Sequence, residues 1–526
     1  MPTALKRRSA SVLKRNAVAD DTLFAFQCAA DAFRRAEYEQ CKSFLRICEA
    51  APRGLSGRVQ LLRAKLARIE GDLETWYAAS GAVEGFGASI ADRMTAMALR
   101  AIAAKRLGKV VEMRHRFTEI QAVIETAGSA DAAYAVYLLA TDAWEDRDLV
   151  RAERLISDNV RSVGDPESLA LLGWIEVRRE RYRHAGIHFL TALTRLVASG
   201  EIDVRLQGRL VHAAAVVASE TIDLRLGRRI RREYENMVWP ESLRVEQFNA
   251  ITCLRFLALL EGDVERAWML SRAAVAIAPR PSYVAIGETN AAVASGLLGD
   301  SNAHRLQLGL AWGVLRTRKW SGIRAEERVA LTNFMIEARC AFPSEARKAL
   351  MMYRSFRAKA DRSNALEDDR RITAFEAFAA AKVCEAFGQR SNAIQEYRRS
   401  LKIWNELAFG MRAALVALDL RRLTGDEGCQ AILDAALERA PNAWFAQDAK
   451  RLSVPVHVWP AQREVLSRLL EGKSAKAIAV ELERSSFTVT NHTRKLFASF
   501  GVHSRDELRA RCAALGVTIE TLRRAL

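Results

Sequence analysis

A recurring pattern over residues 20–440 constrains this chain more than any other feature: two amphipathic helices joined by a tight turn, then the same again. Two antiparallel helices approach closely only where small side chains meet at the crossing and larger apolar groups fill the flanks. Small residues recur here twelve positions apart, at Ala29/Cys41, Ala140/Ala152, Gly173/Ala185, Ala215/Gly227 and Ala381/Ala393. Looser copies stand at Ala64/Trp76, Ala101/Met113, Arg255/Ala267, Ala292/His304, Phe334/Ala346 and Leu418/Gln430. The turn has its own signature, because one helix must be stopped by a residue tolerant of positive φ and the next started by a capping side chain. Gly-Asp supplies both at Gly71-Asp72, Gly262-Asp263, Gly299-Asp300 and Gly425-Asp426, and Gly108 and Gly388 are stops elsewhere.

The clearest copy is SLALLGWIEVRRERYRHAGIHFLTAL, with Leu172-Gly173 in its first helix, then Tyr182, Ala185, Phe189 and Ala192-Leu193. It resembles a tetratricopeptide repeat. On this reading the chain is all-α, with roughly eleven helix pairs at spacings of roughly 33 to 47 residues, a degenerate solenoid. Stacked helix pairs curve and leave a concave surface for a protein or peptide partner; the plainer alternative is a spacer that merely positions the C-terminal module. Trp76, Trp144, Trp174 and Trp268 fall on apolar stripes and read as core. The basic run Arg225 to Arg232, RLGRRIRR, reads as a solvated helix face, with an acidic-partner site as the alternative.

Half of the 526 residues are apolar, enough for a large core, and only ten are proline. A formal charge of +17 favours an anionic partner such as nucleic acid. The eight cysteines form no CxxC pair and read as small buried hydrophobes in a reducing compartment. Residues 1–19 are basic but lack the apolar run of a signal peptide, and no window is apolar enough to span a membrane, so a cytoplasmic protein with a basic tail is expected. Catalytic signatures fail on inspection. Gly472-Lys473-Ser474 has the tail of a phosphate-binding loop, but Ser467 stands where its first glycine belongs. Gly85-Phe86-Gly87 lacks its third glycine at Ile90, and His184 and His188 share a helix face without a third ligand. No enzyme activity, cofactor or metal is expected.

The repeat phase breaks at a linker, 441–455, and a separate domain occupies 456–520. In it, WPAQREVLSRLLEG reads as a first helix with Val465, Leu466, Leu469 and Leu470 on one face. Ser474 caps a short second helix with Ile478, Ala479 and Leu482 inward, and Ser485 caps a third after the brief Glu483-Arg484 turn. Helices joined by so short a turn cross steeply, as in a helix-turn-helix. The third helix, Ser486 to Phe500, buries Val489, Leu496 and Phe500 and carries no carboxylate. Ser504-Arg505-Asp506-Glu507 is a capping box for a fourth helix, with Leu508, Cys512 and Leu515 inward.

With the strings GKSAKAIA, TVTNH and FGVHSR in this order, residues from about 456 to 516 resemble the LuxR-type (GerE-like) DNA-binding domain. The resemblance implies double-stranded DNA as partner, backbone contacts from Lys476, Thr488 and Asn491, and groove-facing roles for Thr490, Arg494 and Lys495. It also implies that the fourth helix pairs two copies into a homodimer on DNA. Three positions depart from the family pattern: Trp459 replaces a threonine cap, Arg484 an apolar residue under the turn, and Thr490 a lysine or arginine that reads a base. The expected function is a transcription regulator in which the repeat array, binding a protein or peptide, controls the helix-turn-helix; the alternative is a scaffold whose terminal helices serve assembly without specific DNA binding.

Overall fold

The structure, a computed structural model, describes residues 21–526 apart from 51, 87, 127–128, 201–202, 318–324, 362–369, 408, 453–457, 459, 501, 515–516, 518 and 520–526. The tail at 1–19, Trp459 and Leu515 lie outside the described residues. Every regular element among the described residues is helical, and none of these helices is long and apolar enough to cross a membrane. The chain divides into two compact units, one of residues 1–218 and 225–253, the other of 219–224 and 254–526.

Successive helices form eleven pairs. The first six are α1 (21–34) with α2 (Tyr38–Ile47), α3 (Arg53–Glu70) with α4 (Leu73–Ala82), α5 (Ile90–Arg106) with α6 (Val110–Thr126), α7 (Ser129–Glu145) with α8 (Leu149–Ser162), α9 (Pro166–Arg178) with α10 (Tyr182–Ser199), and α11 (Val204–Thr221) with α12 (Leu224–Asn236). The next five are α13 (Arg244–Glu261) with α14 (Val264–Ile277), α15 (Pro281–Leu297) with α16 (Ser301–Thr317), α17 (Ala325–Ala338) with α18 (Pro343–Asp361), α19 (Arg370–Ala386) with α20 (Arg390–Glu406), and α21 (Gly410–Thr424) with α22 (Gly428–Arg439).

A single backbone device keeps these pairs in step. Ten of the turns pass through one residue of positive φ: Ala36, Gly71, Gly108, Arg147, Glu180, Ile222, Gly262, Gly299, Gly388 and Gly425. Each lies seven residues after the first member of a twelve-apart pair and five before the second, so the left-handed stop sets where the helices cross. Four of the ten are not glycine, and at those turns the sequence shows no stop signal; their Cβ atoms cost on the order of 1–2 kcal/mol each. The following helix starts on an aspartate at Asp72, Asp263 and Asp300, whose carboxylates accept from the N–H of Thr75, Arg266 and Ala303 at 2.9–3.0 Å, and Asp148 does the same for Arg151 at 3.0 Å.

The last pair departs from the expected register. Asp426 accepts from the Gly428 N–H at 2.9 Å, two residues on, and α22 begins only at Gly428. Leu418 and Gln430 are only half-buried, and the small buried residues twelve apart are Ala417 and Cys429. In the Ala292/His304 copy the larger residue is accommodated by a hydrogen bond, with His304 Nδ1 2.8 Å from the Ala292 carbonyl. Of the four tryptophans read as core, Trp76 is buried and Trp144 and Trp174 half-buried, but Trp268 is 38% exposed: the outer side of α14 carries it into solvent.

Packing at the crossings is tight. A Cβ on Gly173 would lie 2.5 Å from the Phe189 ring, which is fully buried and meets Trp174 edge-on at 5.4 Å. With no free side for the ring to turn into, Gly173→Val is expected to destabilise the first unit by about 3 kcal/mol. Urea unfolding of the full chain checks it: an unchanged midpoint for the first transition would show that the crossing relaxes freely.

Within the span expected to be the linker, several of residues 443–449 are packed. Ala443, Phe445, Ala446 and Ala449 are buried, the Trp444 N–H donates to the Leu259 carbonyl at 3.1 Å, and the Trp444 ring meets Phe256 edge-on at 5.6 Å. A short helix, α23 (Ala446–Leu452), packs on α21. The aromatic pair Trp444-Phe445 supplies apolar area that an exposed linker leaves in water.

Candidate nucleic-acid interface

Four further helices follow: α24 (Pro460–Leu470), α25 (Ala475–Glu481), α26 (Ser486–Phe500) and α27 (Arg505–Ala514). They enclose a core of Val465, Leu466, Leu469, Ile478, Ala479, Val489, Leu496, Phe500, Leu508 and Cys512, with Leu470 and Leu482 packed at its edge. The starts of α25, α26 and α27 are each capped by serine: Ser474 Oγ accepts from the Ala477 N–H at 3.2 Å, Ser485 Oγ from Thr488 at 3.1 Å, and Ser504 Oγ from Glu507 at 3.2 Å. The box before α27 closes one residue early, because the Glu507 carboxylate accepts from the His503 N–H at 2.8 Å.

The α25–α26 turn is made by Glu483 at φ +51°, after which the Arg484 N–H donates to the Ala479 carbonyl at 2.9 Å. Arg484, standing where an apolar residue is usual, turns back onto α24. Its guanidinium pairs with Glu464 at 2.9 Å and reaches the Ala461 carbonyl at 3.5 Å, so a charged bridge ties the turn to the first helix.

The cations of this domain fall into two groups. Arg468 and Lys473 are neutralised by Glu471 and Glu481 at 2.6–3.2 Å, Arg484 by Glu464, and the Arg505 guanidinium donates to the Lys473 carbonyl. Lys476, Arg494 and Lys495 are exposed and hold no ion pair among the described residues. Uncompensated exposed cations at a helix-turn-helix are what phosphate oxygens and base edges require.

Thr490, Asn491 and Arg494 share one exposed face of α26, and Asn491 and Lys495 the adjoining one with the half-buried Thr488, whereas Lys476 stands in the first turn of α25. Two hydroxyls are partly committed: Thr490 Oγ1 donates to the Ser486 carbonyl at 2.8 Å, and Thr488 Oγ1 lies 2.8 Å from the capping Ser485 Oγ. Each keeps acceptor capacity for a base amine but less freedom to donate. His492, half-buried under the helix, titrates below the usual imidazole range through burial and the nearby Arg484 and Lys495.

Sequence reasoning missed Phe487. It is 81% exposed, three and four residues before Thr490 and Asn491, and so extends the same face. Its only sequence signal is an aromatic directly after the cap and off the buried stripe; a thymine methyl is the base feature that such a ring can meet.

Solved structures to which this chain is similar include the apo form of RapI, at 11% identity and a TM-score of 0.38, covering 75% of this chain and 97% of that one. The apo form of the quorum sensor NprR from B. thuringiensis aligns at 9% identity and a TM-score of 0.38, covering 73% of this chain and 98% of that one. A Rap protein complexed with competence and sporulation factor aligns at 12% identity and 0.39, covering 66% and 99%. No curated protein matches the sequence. The model of the family "bacterial regulatory proteins, luxR family" matches residues 460–511, the span from the first residue of α24 into α27. Those residues are therefore a domain of the luxR family of bacterial regulatory proteins, following an array of paired helices.

Proposed function

We propose that this protein is a transcription regulator that binds double-stranded DNA through residues 456–520 and is controlled by a protein or peptide bound on the helical array, residues 20–440. The observation that carries the reading is the separation of charge in the terminal domain: its structural cations are paired within the fold, and Lys476, Arg494 and Lys495 are left facing solvent beside the α26 surface. In this reading Lys476, Thr488 and Asn491 hold phosphates, and Thr490, Arg494 and Lys495 with Phe487 face the groove. Two copies pair through α27 on a two-fold-symmetric site.

Gel shift of the full chain on duplex DNA at several salt concentrations tests it. Affinity is expected to fall as salt rises, the signature of counterion release; affinity indifferent to salt would sink the reading. Thr490 supplies a sharper variant. Thr490→Lys places a cation on the free face without disturbing the core, and is expected to steepen the dependence of log K on log salt by about 0.9 and tighten binding. The same salt series checks it, and an unchanged slope would remove position 490 from the interface.

A further inference from the structure

Buried charges in both units are mostly matched: Lys382 with Asp419 at 2.5 Å and Arg412 with Glu220 at 3.3 Å in the second, Lys105 with Asp142 at 2.8 Å and Arg181 with Glu176 at 2.8 Å in the first. One cluster in the first unit is less well matched. The Lys65 ammonium from α3 sits 4.5 Å from the centre of the Tyr134 ring on α7 and holds no ion pair among the described residues. The hydroxyls of Tyr134 and Tyr137 have no hydrogen-bond partner there either. The Arg205 side chain on α11 is 12% exposed, its Nε is unpartnered, and its nearest carboxylate, Asp203, stands off at 3.6 Å while accepting from the Leu206 N–H at 2.8 Å.

These groups come from helices far apart in sequence, and a closing contact brings them together. The loop after α12 returns to the first pair: Ser242 Oγ donates to the Ala36 carbonyl at 2.6 Å, and Met237, Trp239 and Leu243 pack with Ala36 and Tyr38. Arg205 thereby lies 5.9 Å from the Phe33 ring of α1. The space is sheltered enough that burial raises the Tyr134 and Tyr137 hydroxyls above their usual range and lowers the Lys65 ammonium below its own.

We propose that the space between Lys65, Tyr134, Tyr137 and Arg205 is a binding site for a small planar carboxylate. The half-buried Lys65 ammonium has no carboxylate within ion-pair distance among the described residues, and an anion entering beside it supplies one. A carboxylate matches the planar guanidinium and accepts from the two phenols, while the Tyr134 and Tyr137 rings, 5.6 Å apart, offer faces for a flat body. The field of carboxylates farther off, Asp92, Glu167 and Asp203, favours a monoanion over a phosphate dianion. The closed path of the first six pairs favours a small molecule over a long peptide.

Calorimetric titration of the full chain with benzoate, acetate, benzamide and inorganic phosphate tests the site. Benzoate is expected to bind at least tenfold more tightly than each of the other three. Lys65→Met is expected to remove its advantage over benzamide, and Tyr134→Leu its advantage over acetate, with helical circular dichroism unchanged. If Lys65→Met fails to fold, Arg205→Gln takes its place with the same expectation. Benzoate no tighter than benzamide, phosphate tighter than benzoate, or benzoate binding unchanged in the folded variant each overturns the proposal. The site stands on the geometry of the first unit alone, and only its role as input rests on the regulator reading. Benzoate that binds without altering duplex affinity therefore refutes the coupling and leaves the site, whereas duplex binding without benzoate binding refutes the site and leaves the regulator.

Discussion

Replacing Arg494 and Lys495 together by alanine is expected to weaken binding of the full chain to duplex DNA by more than tenfold near 0.1 M salt and to lower the salt slope by about 2, close to 0.9 for each cationic charge withdrawn from the duplex, since a cation in the groove also displaces counterions. Both side chains are exposed on α26 and hold no carboxylate partner among the described residues, so their removal takes nothing from the fold. Alanine is also the strongest helix former, which keeps the stability change within about 0.5 kcal/mol. Lys473→Ala is the matched control. It deletes a cation of the same domain already held by Glu471 and Glu481, and is expected to leave the slope nearly unchanged. Equal slopes for the double variant and the control would mean that the two classes of cation are not distinct in solution.

Asp419→Ala is expected to destabilise the second unit by about 3–5 kcal/mol, the usual cost of leaving one member of a buried ion pair uncompensated. Asp419 and Lys382 are both buried and 2.5 Å apart, with Arg422 3.3 Å from the same carboxylate. Burial alone would raise the Asp419 carboxyl; the Lys382 ammonium, with Arg339 and Arg422, reverses that and holds it below the usual carboxylate range. Because the folded value is depressed, the carboxylate's contribution is complete above the unfolded value of about 3.9 and disappears only as pH falls through the folded value in acid. Denaturant unfolding at pH 7 measures the loss. Lys382→Met with Asp419→Leu should recover most of it, since an apolar pair of similar volume needs no counter-charge. A single variant as stable as the parent would show that water or a rearranged Arg339 reaches Lys382.

The terminal domain was legible almost residue by residue because its signals are local. The caps at Ser474, Ser485 and Ser504, the stop at Gly472 and the buried phase of Val489, Leu496 and Phe500 each depend on neighbours within a few positions. Less legible was how exceptions are absorbed. Arg484 looks misplaced until Glu464, twenty residues earlier, comes within 2.9 Å, and Phe487 looks incidental until its face is seen to be the one bearing Asn491. The packing of Trp444 was illegible for a related reason: its partners Phe256 and Leu259 lie on α13, nearly two hundred residues away.

By itself, the sequence determined the helices, their pairing and the family of the last domain, because a period of 3.6, a small residue at each crossing and a capped turn are written in adjacent positions. At Ala36, Arg147, Glu180 and Ile222 the pairing survives without the glycine that announces it elsewhere, since the small residues on either side still demand the crossing. Only the tertiary structure decided what meets inside. Packing of α3, α7 and α11 within the first unit brings Lys65, Tyr134 and Arg205 near one another although no local pattern connects them.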